Sequence, residues 1–132
     1  MRRLRRDRVR GESGATALEL AIVTPALLLA IFTAIQVALW FHAREVALAS
    51  AQEGARVLRS ETGTEAAARD RTLDFVRQLG GRVLERPSVT ASRTTTVATV
   101  EVRGTSVALV PGMRLPVQAV SSGTVERFVP DS

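Results

Sequence analysis

The spacing of apolar and polar positions changes twice along this chain. Residues 20–41, LAIVTPALLLAIFTAIQVALWF, form a 22-residue run without a formally charged side chain. At about 1.5 Å rise per residue such a helix spans roughly 33 Å, against about 30 Å of bilayer hydrocarbon. A soluble core helix is usually shorter and keeps one polar face. Here the clearly polar side chains are Thr24, Thr33 and Gln36, so the run predicts a transmembrane helix that crosses once rather than a buried soluble one. Beyond it, Val46, Ala47, Ser50, Gly54, Val57 and Leu58 keep three- and four-residue spacing, with Arg44, Arg56 and Arg59 toward other faces. The helix is therefore expected to continue to residue 59, its first half in lipid and its second half packed on an outer domain.

SETGT at 60–64 breaks that pattern. Thr62 with Glu65, or Thr64 alone, caps a second helix running to about Leu79, where Gly80 and Gly81 supply a stop. Thr72, Phe75, Val76 and Leu79 are its expected apolar face. After Pro87 the period becomes two. SVTAS and TTTVATVEVRG alternate, with Ala98, Val100 and Val102 on one side and Thr99, Glu101 and Arg103 on the other. TSVALV is a third short strand candidate. Pro111 and Gly112 make a turn, and LPVQAVSSGTVERFV resumes strand character to about Val129, with Pro116 at its start because proline cannot donate within a ladder. The predicted fold class is α+β: a long N-terminal transmembrane helix continuing into a small extracytoplasmic helix-plus-antiparallel-sheet domain. Its parts are a leader (1–14), the long helix (15–59) and the outer domain (60–132).

Charge fixes the expected orientation. All 18 basic residues are arginine, and the net charge is +5. Arg2, Arg3, Arg5, Arg6, Arg8 and Arg10 precede the membrane run, whereas from Ala15 onward 12 arginines face 11 acidic residues. This asymmetry holds the N-terminus in the cytoplasm and sends the C-terminal part across. The leader itself is expected to be disordered or to lie on anionic headgroups. Nucleic-acid binding does not fit, because neither a folded reader nor interleaved aromatics accompany the arginines. There is no cysteine and a single histidine, His42, and no phosphate loop or hydrolase motif occurs. The expectation is accordingly no enzyme, no cofactor and no metal site. Trp40 fits an interfacial aromatic belt.

Within the run, Glu19 stands at the threshold of hydrocarbon, where a carboxylate is a functional suspect. Pro25 removes a backbone donor and crowds the carbonyl of Ala21, so a kink or local loosening is expected. Ala26, Ala30, Ala34 and Ala38 recur every four residues and make a stripe that another helix can approach closely. Ala49, Ser50 and Ala51 spell a secretory A-x-A site. However, the run is far longer than a secretory apolar region of about 7–15 residues.

Gly14 followed by ATALE resembles the class III signal of type IV pilins and pseudopilins. The wider pattern, SGATALELAIVTPALLLAIF and then AQEGARVL at 51–58, is similar to the TadE-like family of tight-adherence (Flp-type) pilus assembly proteins. The residues that carry the likeness are Arg10 and Gly11, Glu19, Pro25, and Glu53, Gly54, Ala55 and Arg56, while Leu20 stands where an aromatic is frequent in related pilins. The resemblance implies a pilin-like architecture and cutting by a prepilin peptidase between Gly14 and Ala15. The new ammonium on Ala15 would then lie one turn from Glu19, or be met by Glu19 of a neighbour, which sets register between subunits. The function so implied is a minor pilin or pseudopilin, in the bacterial cytoplasmic membrane before assembly and at the cell surface after it, with other pilin-like subunits and membrane platform proteins as partners. The alternative is an unprocessed single-span accessory protein whose outer domain binds another envelope protein.

Overall fold

The computed structural model describes residues 6–127, with side chains from Ser13 onward. Its elements in chain order are α1 (Arg6–Arg59), α2 (Glu65–Gly80), β1 (Leu84–Arg93), β2 (Val97–Ser106) and β3 (Pro116–Thr124). The fold class is α+β, with one membrane-spanning candidate helix. The chain divides into two compact units, Met1–Ile35 and Gln36–Ser132.

In the first unit, the described residues belong to α1 alone. The helix begins at Arg6, so residues 6–14 are helical rather than disordered. Gly11 and Gly14 each disfavour helix by about 1 kcal/mol relative to alanine, but a helix already nucleated downstream propagates through single weak residues. Arg2, Arg3 and Arg5 lie outside the described residues, as do the side chains of Arg6, Arg8 and Arg10. Leu20, Ile22, Leu27, Leu28, Ile31 and Phe32 are between 44% and 68% exposed. A helix apolar on every side has no face to give to water, which is the surface a membrane span presents. Pro25 lies inside α1, which runs on to either side of it. The Thr33 hydroxyl donates to the Leu29 carbonyl at 2.8 Å, its polarity satisfied within the helix.

The second unit opens at Gln36. Here α1 buries Ala43, Val46, Ala47, Ser50, Ala51, Ala55 and Leu58. Their partners are Val76 of α2, Leu84 and Ala91 of β1, Val100 and Val102 of β2, and Val117 and Ala119 of β3. Because the α1 face is mostly alanine, neighbouring backbones approach it closely, and the core is thin and continuous. The antiparallel sheet has the order β1-β2-β3. Val102 is opposite Val89 on one side and Ala119 on the other. Ala98, Val100 and Val102 are fully buried while Thr99, Glu101 and Arg103 face the other way, as the alternation predicts.

Several local expectations are corrected. β1 starts at Leu84, ahead of Pro87, and its register shifts between Glu85 and Ser88. Arg86 has φ 50°. Pro87 therefore sits in a bulge, where no ladder donor is needed. TSVALV does not form a strand: Thr105 and Ser106 finish β2, and residues 107–115 are a loop. β3 begins at Pro116 as expected but ends at Thr124 rather than near Val129. Thr64, not Thr62, caps α2, accepting from the Ala67 amide at 3.1 Å. The helix buries Ala68, Thr72 and Val76. Phe75 is half-buried and Leu79 is 47% exposed, because at the end of α2 it is the backbone of Gly80 that meets Val46.

Gln36, counted with the membrane run in the sequence, is 1% exposed. Its Nε2 donates to the Val107 carbonyl at 2.9 Å, and its Oε1 accepts from the amides of Leu109 at 2.7 Å and Val110 at 3.4 Å. One turn later, Trp40 Nε1 donates to the Pro116 carbonyl at 3.0 Å. Two side chains of α1 thus hold both ends of the β2–β3 loop. Gln36→Leu should leave a loop carbonyl and two amides without their Gln36 partner at a loss of about 1–3 kcal/mol, and hydrogen exchange at the Leu109 amide should accelerate. An unchanged exchange rate there would refute the clamp.

Candidate functional site

No three His, Asp or Glu side chains among the described residues converge on a point that could hold a metal ion. His42 is exposed. Two other groups of residues stand out, each built on α1.

The first group lies in the N-terminal unit. Gly14 and Ala15 are in mid-helix and exposed, and nothing lies within 4 Å of where a Gly14 side chain would point. Glu19 is exposed and forms no ion pair among the described residues. Ala26, Ala30, Ala34 and Ala38 are all exposed. The expected processing and assembly positions are thus all exposed along α1.

The second group is the Glu53, Gly54, Ala55, Arg56 segment, which joins α1 to α2. Glu53 accepts two hydrogen bonds from Arg56, one turn along α1, at 2.8 and 3.1 Å, and one from Arg71 of α2 at 2.9 Å. Arg56 holds the Glu53 carboxyl below the ordinary value; partial burial opposes this, and Arg71 adds to it. The same carboxylate raises Arg56. Arg71 also stacks over the Phe75 ring at 5.7 Å, which fixes its guanidinium toward Glu53. A side chain at Gly54 would meet Thr72 Oγ1 at 1.9 Å and the Ala68 carbonyl at 3.2 Å. Only a hydrogen fits between the helices there. Ala55, 2% exposed, faces the core. The segment is a helix–helix joint, and its chemistry is packing and ion pairing.

Sequence spacing anticipated close packing at Gly54, but it missed Arg71 and Gln36, whose partners are distant in the chain. Arg59, expected on an outer face, is instead half-buried against β3, where a side chain at Gly123 would meet its Cδ at 2.6 Å. Its Nε is buried without a hydrogen-bond partner among the described residues.

Residues 14–56 match the family model described as TadE-like protein. No curated protein and no solved structure matches the chain. The match runs from the Gly14 of the expected cut to the Arg56 of the joint, and leaves α2 and the sheet outside it.

Two outcomes follow from the joint. Gly54→Ala gains about 1 kcal/mol of helix propensity but loses about 1–3 kcal/mol to overpacking against Thr72. Denaturant unfolding of the full chain in detergent micelles should show net destabilisation, partly recovered when Thr72→Ala is added. A more stable single variant would contradict the contact. Because the Glu53 carboxyl is lowered in the fold, the stability it adds is complete above the ordinary value of 4.5 and is lost as pH falls through the lowered value. Wild type and Glu53→Gln should therefore differ most at neutral pH and converge in acid; a constant difference would exclude ionised Glu53 as the cause.

Proposed function

We propose, from the TadE-like match over residues 14–56, that this chain is a minor pilin or pseudopilin of a tight-adherence type pilus or secretion system. It is anchored in the bacterial cytoplasmic membrane by α1 before assembly and packs through that helix afterwards. The observation that carries this reading is the position of the match, which begins at Gly14 and takes in Glu19 and the whole apolar stretch.

In this reading the arginine-rich N-terminus stays in the cytoplasm and the sheet-bearing part lies outside. A prepilin peptidase cuts between Gly14 and Ala15 and removes all six leader arginines with their hold on the cytoplasmic face. The new ammonium of Ala15 and the carboxylate of Glu19, each costly alone in lipid, compensate one another between adjacent helices and fix the axial register. The exposed stripe of Ala26, Ala30, Ala34 and Ala38 lets those helices close up, and Pro25 allows local adjustment of the ladder. The role is structural, and its partners are other pilin-like subunits and a membrane platform. The alternative, an unprocessed single-span accessory protein that binds another envelope protein, draws on one observation: the Gly14–Ala15 bond lies inside α1, so a peptidase must first open a turn.

Mass spectrometry of the membrane-extracted protein discriminates the two. A mature N-terminus at Ala15 is expected, whereas intact residues 1–14 in a functional complex favour the alternative. Glu19→Ala should insert in the membrane normally yet fail to enter the assembly, and normal incorporation of that variant would remove Glu19 from the mechanism.

A further inference from the structure

The β2–β3 loop has the composition of a buried segment, yet it is exposed. Six of its nine residues, VALVPGMRL at 107–115, are Val, Ala, Leu or Met, and its one charged residue is Arg114. Leu109 is 46% and Met113 39% exposed. Surface turns are ordinarily built of Gly, Asn, Asp and Ser. Nor is this loop loosely attached: Gln36 holds the backbone of Val107, Leu109 and Val110, Ser106 donates to the Leu115 carbonyl at 2.9 Å, and Met113 donates to the Val110 carbonyl at 3.0 Å. Gly112, with φ +83°, makes the reversal that a side-chain-bearing residue would resist. The loop is thus held in one shape with its apolar side chains outward.

Where it is held decides what covers it. Counting back from Gln36, the twenty residues needed for about 30 Å of hydrocarbon begin at Ala17. Counting forward from Leu20 instead, they end at Leu39, a turn beyond Gln36. On either count Gln36 is at or inside the hydrocarbon boundary, and the loop it grips is within hydrogen-bonding reach of that level. Phe41, 52% exposed and edge-on to Trp40 at 5.0 Å, lies just over a turn beyond Gln36 on α1, where an interfacial aromatic pair is expected.

We infer that the β2–β3 loop is a membrane-surface contact: Leu109 and Met113 enter the acyl region of the bilayer that α1 crosses, and Arg114 reaches its phosphates. This rests on the reading of α1 as a membrane span. The contact makes the domain's placement depend on lipid as well as on its helix, and it buries apolar surface that would otherwise face water. It also accounts for the buried glutamine, since an amide near hydrocarbon must be fully bonded.

The chain has no cysteine, so single labels report cleanly. Leu109→Cys, Leu28→Cys and Thr95→Cys, each carrying an environment-sensitive fluorophore, would be reconstituted as full-length protein in vesicles of phosphatidylethanolamine and phosphatidylglycerol. Each would be quenched by a lipid spin-labelled near its headgroup or by aqueous iodide. Lipid quenching at Leu109 severalfold above that at Thr95, in the β1–β2 turn, is expected. Iodide quenching at Leu109 with iodide protection at Leu28 would overturn the loop contact and leave the span intact. Protection of Leu109 from both quenchers would overturn it in favour of a protein partner. Iodide access at Leu28 would overturn the span itself, and the loop contact with it.

Discussion

A helix that passes from hydrocarbon into a protein core must satisfy two surroundings with one continuous backbone. In α1 the change of surroundings is made by side chains alone. Up to Ile35 the large apolar residues face outward; from Gln36 onward, small residues turn inward and let a sheet and a second helix close on them. Gln36 marks the change. Among the described side chains of α1 it is the first to be fully buried, and it is bonded at both its nitrogen and its oxygen. The same backbone that would be at home in lipid thereby becomes one wall of a water-facing domain.

The Glu53 to Arg56 segment solves the next problem, which is how a domain with so few large side chains holds a second helix in place. Alanines and one glycine bring the backbones together, and the ion pairs from Glu53 to Arg56 and Arg71 close over the contact. Exposed ion pairs contribute little singly. Here the carboxylate is 13% exposed and shared by two guanidiniums, so its part is to orient helices that packing has already joined.

What could be read from the sequence was what depends on neighbours in the chain. The membrane run, the alternation in β2, the cap at Thr64 and the proline opening β3 all act over a turn or a strand, so their spacing shows them. Interactions over long separations stayed hidden. Gln36 and Trp40 meet partners 71 and 76 residues away, and nothing local to either residue announces a loop carbonyl. The buried face at Ala43, Ala47, Ala51 and Ala55 was only half visible, because alanine raises little apolar signal and its burial reflects how near the sheet comes. Val107 to Val110 look like a strand by composition; they form none because Gln36 takes the backbone groups a ladder would use. Of the candidate site, the Gly14, Ala15 and Glu19 pattern was recognisable as a motif.

Both outer strands of the sheet carry a proline toward the same end. Pro87 sits in the β1 bulge beside the Glu85–Thr105 pair, and Pro116 of β3 lies directly opposite Thr105. Each removes a donor from an edge that would otherwise offer itself to a foreign strand. Strand-to-strand stacking, the route to irreversible fibrils, is blunted at that end on both flanks.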